Sequence, residues 1–444
     1  MTTQIFLAST PYGTATLAAA LDTARFAPAD RRVLLVSNNA AIPETTPAVD
    51  TMPGFERLRT RFDDVISWNK TIFPFHPGGW TPRLDDVPLW ERHLRLAWDL
   101  GDDDIELAVE SIQVNPALGL TQIFTAAPVT VYADGLMSYG PTRNKIDPLV
   151  GDRVTRLLHL DLVPGLKPLL LTEFGVEPEI VPTAAFSQVL AELTDIDDVL
   201  PTIDRPALLL GQYLSALDIL TAEEEEHLHV RMLTGAVELG HTRVVFKPHP
   251  TAPAHWSRAL EKEAAELGVD LTVLNSSVLA EVLYQRMRPA LVVGCFSTAL
   301  FTASALYGLP IARVGTDTLL ERLTPYENSN RVPVTIADAL LPELTDRSAV
   351  TGQRPGMDAT DLTALVRAVG FAIQPKIHPD LRPAAVRYLA ERLDQHTWRY
   401  FKRRRLTVLA LPGAVPAQLA FLLRNATVRR IARHARSLRR VVRR

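Results

Sequence analysis

The chain has a single cysteine, Cys295, in 444 residues. One thiol cannot form a disulfide within the chain, and such sparing use fits a reducing compartment. Also missing are a Walker A phosphate loop, a GxGxxG dinucleotide fingerprint, and any DxD or His/Cys cluster with the spacing of a metal site. No metal or resident cofactor is therefore expected. The first residues, Met1–Thr2–Thr3–Gln4–Ile5–Phe6–Leu7, carry neither a positive n-region nor a cleavage pattern, so no signal peptide is expected. The hydrophobic share of 47% and the charged share of 22% are those of a soluble globular protein. The length is too great for one core and comfortable for two domains.

Acidic residues are absent from the C-terminal stretch. Residues 402–444 hold 13 Lys and Arg and no Asp or Glu, which leaves residues 1–401 at −16 although the whole chain is only −3. An acidic body with a basic tail points to an anionic partner for the tail alone.

The chain opens as a β-α-β unit: a strand at Gln4–Ala8, a helix at Thr14–Arg25 and a strand at Arg32–Ser37. The turn Ser9–Gly13 lies at a strand's carboxyl end, where it is either an ordinary βα loop or a substrate contact. Residues 68–90, rich in Trp, Phe, Pro and Gly, read as an irregular aromatic loop near a cleft, and Pro88–Asp99 as an amphipathic helix with proline at its start. Ile105–Val109 and Pro128–Tyr132 are further strands. The second of these runs into Ala133–Asp134–Gly135, and Asp134 is either a turn former or a candidate general base. Leu193–Pro206, acidic and proline-bounded, reads as a linker.

A second β-α series follows. Ala207–Leu210 is a strand ending in Gly211–Gln212, and Ala222–Leu239 a helix with Thr221 as its N-cap. Val244–Phe246 is a short buried strand that stops at Lys247–Pro248–His249–Pro250. The two prolines end the strand and hold Lys247 and His249 in a stiff extended segment. Ligands of open α/β sheets bind at the carboxyl ends of the strands, and a lysine and a histidine fixed there suit an anionic leaving group. Ala290–Val293 is another strand. Beyond it Ser297 caps a helix at Thr298–Leu306, an arrangement that can hold an anion on free N–H groups or simply close a helix. Two such series joined by a linker predict an α/β chain of two Rossmann-like domains facing across a cleft, the GT-B architecture. The domains divide as residues 1–192, a linker at 193–206, residues 207–380, and a tail at 381–444 in which Ala384–Tyr400 is a candidate for the helix that crosses back to the first domain.

Three motifs in this order resemble the bacterial α-2,8-polysialyltransferase family and the related bacterial GT-B sialyltransferases. These are Ala133–Asp134–Gly135, Lys247–Pro248–His249–Pro250 and Ser297–Thr298, each after an expected strand. The resemblance covers roughly residues 1–375. Ala133 departs from it, since the family pattern has two acids before the glycine and this chain keeps one. The resemblance implies an inverting glycosyltransferase that moves a sialic-acid-like nonulosonate from its CMP ester to a cell-surface glycan or lipid-linked acceptor. Asp134 would be the base and protonated His249 would stabilise the departing CMP phosphate. Ser297, Thr298, Lys247 and Pro250 would hold the donor, with Gly211 and Gln212 near the nucleotide. Glu281 would take the ribose, or else be an ordinary helix-surface glutamate. The donor substrate carries its own phosphate, so the scheme needs no metal. Another CMP-ulosonate such as Kdo or Kdn, or a non-catalytic polysaccharide-assembly protein, is the alternative.

In the tail, Leu406–Leu423 is uncharged but broken by Pro412, Gly413 and Pro416, which favours a surface-lying or re-entrant segment over a span. From Val428 to Arg444 an apolar face (Val428, Ile431, Ala435, Leu438, Val442) opposes arginines. This reads as a basic amphipathic membrane-surface helix, with a disordered basic tail as the alternative and no nucleic acid expected. Residues 402–444 would then hold the protein on an anionic membrane, at the cytoplasmic face.

Overall fold

The computed structural model describes residues 1–133, 135–194, 200–201, 203–249, 257–352 and 356–415. Two fully parallel sheets organise it. The first contains β1 (Thr2–Ala8), β2 (Arg31–Val36), β3 (Asp64–Ser67), β4 (Asp104–Val109), β5 (Val129–Ala133), β6 (Val154–Leu160) and β7 (Pro178–Val181), in the order β3-β2-β1-β4-β5-β6-β7. Successive side chains of β1 bury to opposite faces. Ile5 and Leu7 join a cluster with Trp68, Val109 and Val131, while Phe6 and Ala8 face Phe26, Leu34 and Leu158. The helices α1 (Pro11–Asp22), α2 (Val87–Ala97) and α3 (Thr183–Glu192) are among those that connect these strands.

The second sheet contains β8 (Ala207–Leu210), β9 (Arg243–Lys247), β10 (Asp270–Val273), β11 (Leu291–Gly294) and β12 (Ile311–Arg313), in the order β10-β9-β8-β11-β12. Its core strands are continuous apolar runs, as expected where helices cover both faces. The helices α4 (Ala222–Glu238), α5 (Arg258–Leu267), α6 (Ala280–Met287) and α7 (Thr298–Tyr307) alternate with them. A capping box sets the start of α4: Thr221 Oγ1 accepts the Glu224 N–H and the Glu224 carboxylate accepts the Thr221 N–H. This is the expected α/β GT-B fold, two Rossmann-like sheets facing across a cleft.

After β12 come α8 (Arg331–Leu340), α9 (Ala359–Ile373) and α10 (Arg382–Arg392). The chain returns to the first lobe on α9 and the turn after it. Gly370 of α9 faces Leu169 and Pro141. Just beyond, Gln374 Nε2 donates to the Arg143 carbonyl, and His378 Nε2 lies 3.8 Å from Glu173. The helix expected over 384–400 forms only to Arg392 and packs on α9, where Arg392 meets Asp361 at 2.9 Å. The crossing contacts thus begin earlier in the chain than expected, because α9 has the apolar face (Leu362, Leu365, Val366, Val369) that both lobes can cover. Among the described residues no helix is long and apolar enough to cross a membrane. The amphipathic stretch Val428–Arg444 lies outside the described residues.

Candidate active site

A cavity of about 540 Å³ opens between the carboxyl edges of the two sheets. The first lobe lines it with Glu110, Ser111 and Gln113 beyond β4, with Ala133 and Gly135 at the end of β5, and with Arg143. The second lobe lines it with Gly211 and Gln212 beyond β8, His249 beyond β9, and Phe296, Ser297 and Thr298 beyond β11. Five of the residues expected at the site (Gly211, Gln212, His249, Ser297, Thr298) thus meet in one space.

The second-lobe wall is tied together by its backbone. Gly211 N–H donates to the Lys247 carbonyl at 2.9 Å. A Cβ at Gly211 would lie 3.0 Å from Phe246 Cζ and 3.2 Å from Pro248 Cα, so the ends of β8 and β9 can approach this closely only with glycine there. Gln212 reaches across to β11, where its Oε1 accepts the Phe296 N–H at 2.8 Å. Ser297 is the N-cap of α7, with its Oγ accepting the Ala299 N–H at 3.3 Å. The first turn of this ten-residue helix faces the cavity.

The two lobes touch within the motif at the end of β5. A Cβ on Gly135 would stand 2.8 Å from Thr298 Oγ1. Gly135 is therefore a packing requirement between the lobes; its backbone is extended, which any residue can adopt. Asp134 and Pro250 lie outside the described residues. Ala133, immediately before Asp134, pairs with His159 of β6 and lines the cavity.

His249 opens to the cleft, with its ring 6.4 Å from that of Tyr213. Burial, and secondly the Lys247 charge, lower its pKa below the usual histidine value. Lys247 is buried. Its Nζ donates to the Ser276 carbonyl at 3.1 Å, and burial, partly offset by the charge of Glu281, lowers its pKa to about 8. Glu281 is not at the helix surface; it is 2% exposed. Its Oε1 accepts the Thr302 hydroxyl at 2.6 Å, and burial raises its pKa against the opposing pull of Thr302 and Lys247. Neither Lys247 nor Glu281 lines the cavity; they form a layer beneath His249.

Several lining residues were not singled out from the sequence. The Tyr132 hydroxyl lies 2.8 Å from the Leu7 carbonyl and 3.2 Å from Glu110 Oε2. Gln113 Oε1 accepts the Arg143 N–H at 2.6 Å, which sets the backbone at Arg143 against the cavity. Burial lowers the pKa of the Arg143 guanidinium, and among the described residues no carboxylate offsets it. Asn328, Ser329 and Asn330, just before α8, close the far side. A polar residue directly after a buried strand was the available signal for Glu110. The 328–330 loop carried none. The Ser9–Gly13 turn became a helix start, with Thr10 Oγ1 accepting the Gly13 N–H at 2.9 Å, and does not line the cavity. Among the described residues no group of three or more His, Cys, Asp or Glu could hold a metal ion.

The family model described as alpha-2,8-polysialyltransferase matches residues 4–315. Among solved structures, the chain is similar to the GT-B domain of a sialyltransferase from Photobacterium damselae, with 12% identity over 76% of this chain and 96% of that one and a TM-score of 0.40. It is similar to a Photobacterium 2,6-sialyltransferase solved with CMP and lactose, with 13% identity over 76% of each chain and a TM-score of 0.42. It is also similar to Acinetobacter baumannii MurG, with 12% identity over 87% of this chain and 95% of that one and a TM-score of 0.39. No curated protein matches it.

Proposed function

Since the chain belongs to the alpha-2,8-polysialyltransferase family and is a glycosyltransferase, we propose that it transfers a sialic-acid-like nonulosonate from its CMP ester to a glycan acceptor with inversion at the anomeric carbon. The observation that carries this reading is the shared cavity, with His249 on its second-lobe wall and the end of β5 on its first. An inverting displacement needs a base on the acceptor side and charge stabilisation on the leaving-group side, each typically worth about 10²–10⁴-fold. Asp134 is the base in this scheme. His249, protonated as CMP binds, meets the departing phosphate. The Ser297–Thr298 helix start supplies fixed donors to phosphate or sugar carboxylate. Arg143, desolvated on the acceptor side, supports an anionic group there. Glu281 is enclosed, so contact with a ribose would require its surroundings to move; its role here is to hold Lys247 charged. The family's association with surface polysaccharides suggests a capsule-type product made at the cytoplasmic face of the membrane, with a glycan or lipid-linked acceptor.

The test is a donor screen with purified protein. CMP, CMP-sialic acid and CMP-Kdo are each scored for a rise in melting temperature and for transfer. A melting shift with CMP, and turnover lost in His249→Ala and Asp134→Asn while the fold survives, is the expected result. If none of the three ligands shifts the melting temperature, or either variant retains turnover, this reading is wrong.

A further inference from the structure

We infer that Asn330 and the apolar wall beside it form a subsite for an N-acyl group of a sugar, an inference that rests on the proposed reaction only for which sugar carries that group. An asparagine just before a helix ordinarily turns its side chain back to cap the first turn. Asn330, just before α8, does not: its backbone is already helical and its side chain accepts no capping N–H. It lines the cavity although it is only 7% exposed. Among the described residues its side-chain amide has no hydrogen-bond partner, whereas buried amides are ordinarily paired. The surrounding loop fixes it there. Asn328 Oδ1 accepts the Asn330 N–H at 2.9 Å, and the Asn328 carbonyl accepts the Arg331 N–H at 3.1 Å. The fully buried Arg331 side chain donates to the carbonyls of Leu323 at 2.8 Å and Tyr326 at 2.9 Å, and its guanidinium lies 4.1 Å over the Tyr326 ring. An amide held this firmly at a cavity wall, and left open to it, is completed by a ligand.

The neighbouring wall selects the ligand. Val332 and Pro333 follow Asn330 on α8, Ile373 ends α9, and Gly140 and Pro141 come from the first lobe; all five line the cavity and are buried. They converge, since a Cβ on Gly140 would lie 3.5 Å from Val332 and one on Gly370 of α9 would lie 3.7 Å from Pro141. An amide both donates and accepts, so by itself Asn330 suits a hydroxyl as well as another amide. A hydroxyl would leave the apolar wall against water. An N-acyl group brings a carbonyl or N–H to Asn330 and sets its methyl against Val332 and Pro333. A nucleobase would need a flat face to lie on, and the aromatic lining residues Tyr213 and Phe296 stand instead beyond β8 and β11. Arg143, two residues beyond Pro141, lines the same cavity. A sugar with both an acid and an N-acyl group thus finds a partner for each.

The acyl group can enter on the donor or on the acceptor, and the test separates the two. CMP-N-acetylneuraminate and CMP-Kdn differ only in an acetamido group against a hydroxyl, and tagged N-acetylneuraminate and Kdn oligomers differ likewise as acceptors. With the full chain, the N-acyl member of one pair should be favoured by roughly 10–50-fold in kcat/KM. Asn330→Ala should bring that ratio close to one by slowing the N-acyl member alone, and the pair that responds identifies the source. Saturation-transfer NMR reads the same contact without turnover: the acetyl methyl of bound CMP-N-acetylneuraminate or of the N-acetylneuraminate oligomer should be saturated more than the ring protons, and less so in Asn330→Ala. Val332→Ala, which keeps the amide, should extend use from N-acetyl to N-propanoyl and covers the case in which Asn330→Ala does not fold. Equal use of both members of each pair, equal slowing of both by Asn330→Ala, no acetyl signal from either probe, or no shift in acyl preference in Val332→Ala overturns the subsite. An acetyl signal that depends on Asn330 without any turnover counts against the proposed reaction alone.

Discussion

Binding of CMP should draw a proton from solution onto His249. In the empty site, burial and the Lys247 charge hold the imidazole below its ordinary pKa, so it is neutral at pH 7. A phosphate charge about 4 Å away, at an effective dielectric of about 20, favours the imidazolium by about 4 kcal/mol. At 1.36 kcal/mol per unit this is about three pKa units. The ring opens to the cleft and solvent will reduce the figure, but the direction holds: the imidazole binds its proton more tightly with CMP in place than without it. CMP binding at pH 7 should therefore be accompanied by proton uptake, at most one per site, and affinity should rise by up to tenfold per pH unit as pH falls between the bound and free values. The sign follows from linkage: the ligand binds more tightly to the state that holds more protons.

Calorimetry at pH 7 in buffers of different ionisation enthalpy reads that uptake directly. Lys247, with its pKa lowered to about 8, is already largely protonated at pH 7 and contributes only about 0.1 proton. The His249→Gln variant should bind CMP more weakly and take up almost none. An uptake that persists undiminished in His249→Gln, or zero uptake in the parent, refutes the leaving-group role.

Arg143→Gln should raise the KM for an anionic acceptor by about 10–150-fold, the loss of one charge-assisted hydrogen bond of about 1.5–3 kcal/mol, with partial recovery in Arg143→Lys; equal kinetics in steady-state assays would remove Arg143 from the site. Gly135→Ala places a methyl 2.8 Å from Thr298 Oγ1 and should destabilise the protein by about 1–3 kcal/mol through overpacking. Adding Thr298→Ala should recover most of the melting temperature, and no recovery means the glycine is needed for another reason. Thr302→Val strips Glu281 of its hydroxyl donor at about 1–3 kcal/mol. Because the folded protein already binds the Glu281 proton more tightly than the unfolded chain, the loss should be larger at pH 8 than at pH 5, and a pH-independent melting shift contradicts the assignment.

The continuous apolar strands were readable. Ala207–Leu210 falls where expected, and β9, with its stop at two prolines, is one residue longer at each end than Val244–Phe246. What escaped were strands whose polar residues hide the pattern. β6 carries Thr155, Arg156 and His159 among its leucines, and His159 is buried against Tyr139. β7 begins on Pro178, which the first position of an edge strand tolerates. The cavity-lining motifs could be placed because each follows a strand, and in parallel sheets strand ends converge. The state of Glu281 could not, since its burial depends on Thr302, one helix later, and on Lys247 from another strand. The constraint on Gly135 was hidden for the same reason. Read locally it is turn chemistry, but its constraint comes from Thr298 in the other lobe.

The electrostatics explain why those long-range contacts matter. His249 and Lys247 come from the end of β9 and Arg143 from the loop between β5 and β6, and burial pushes the pKa of each downward. For a cation, that direction means the empty protein holds the charged form at a loss. Surface cations would avoid the loss by turning to water. These are prevented by Pro248 just before His249, by the Ser276 carbonyl on Lys247, and by Gln113 and Gln374 gripping the Arg143 backbone. An anion that enters the cavity meets in Arg143 a charge whose desolvation has already occurred during folding, so that attraction is offset by little reorganisation of the protein, whereas His249 joins in only as it takes up its proton. Neutral ligands of the same size gain none of this, which is why donor and acceptor should be told apart from neutral sugars by charge before shape.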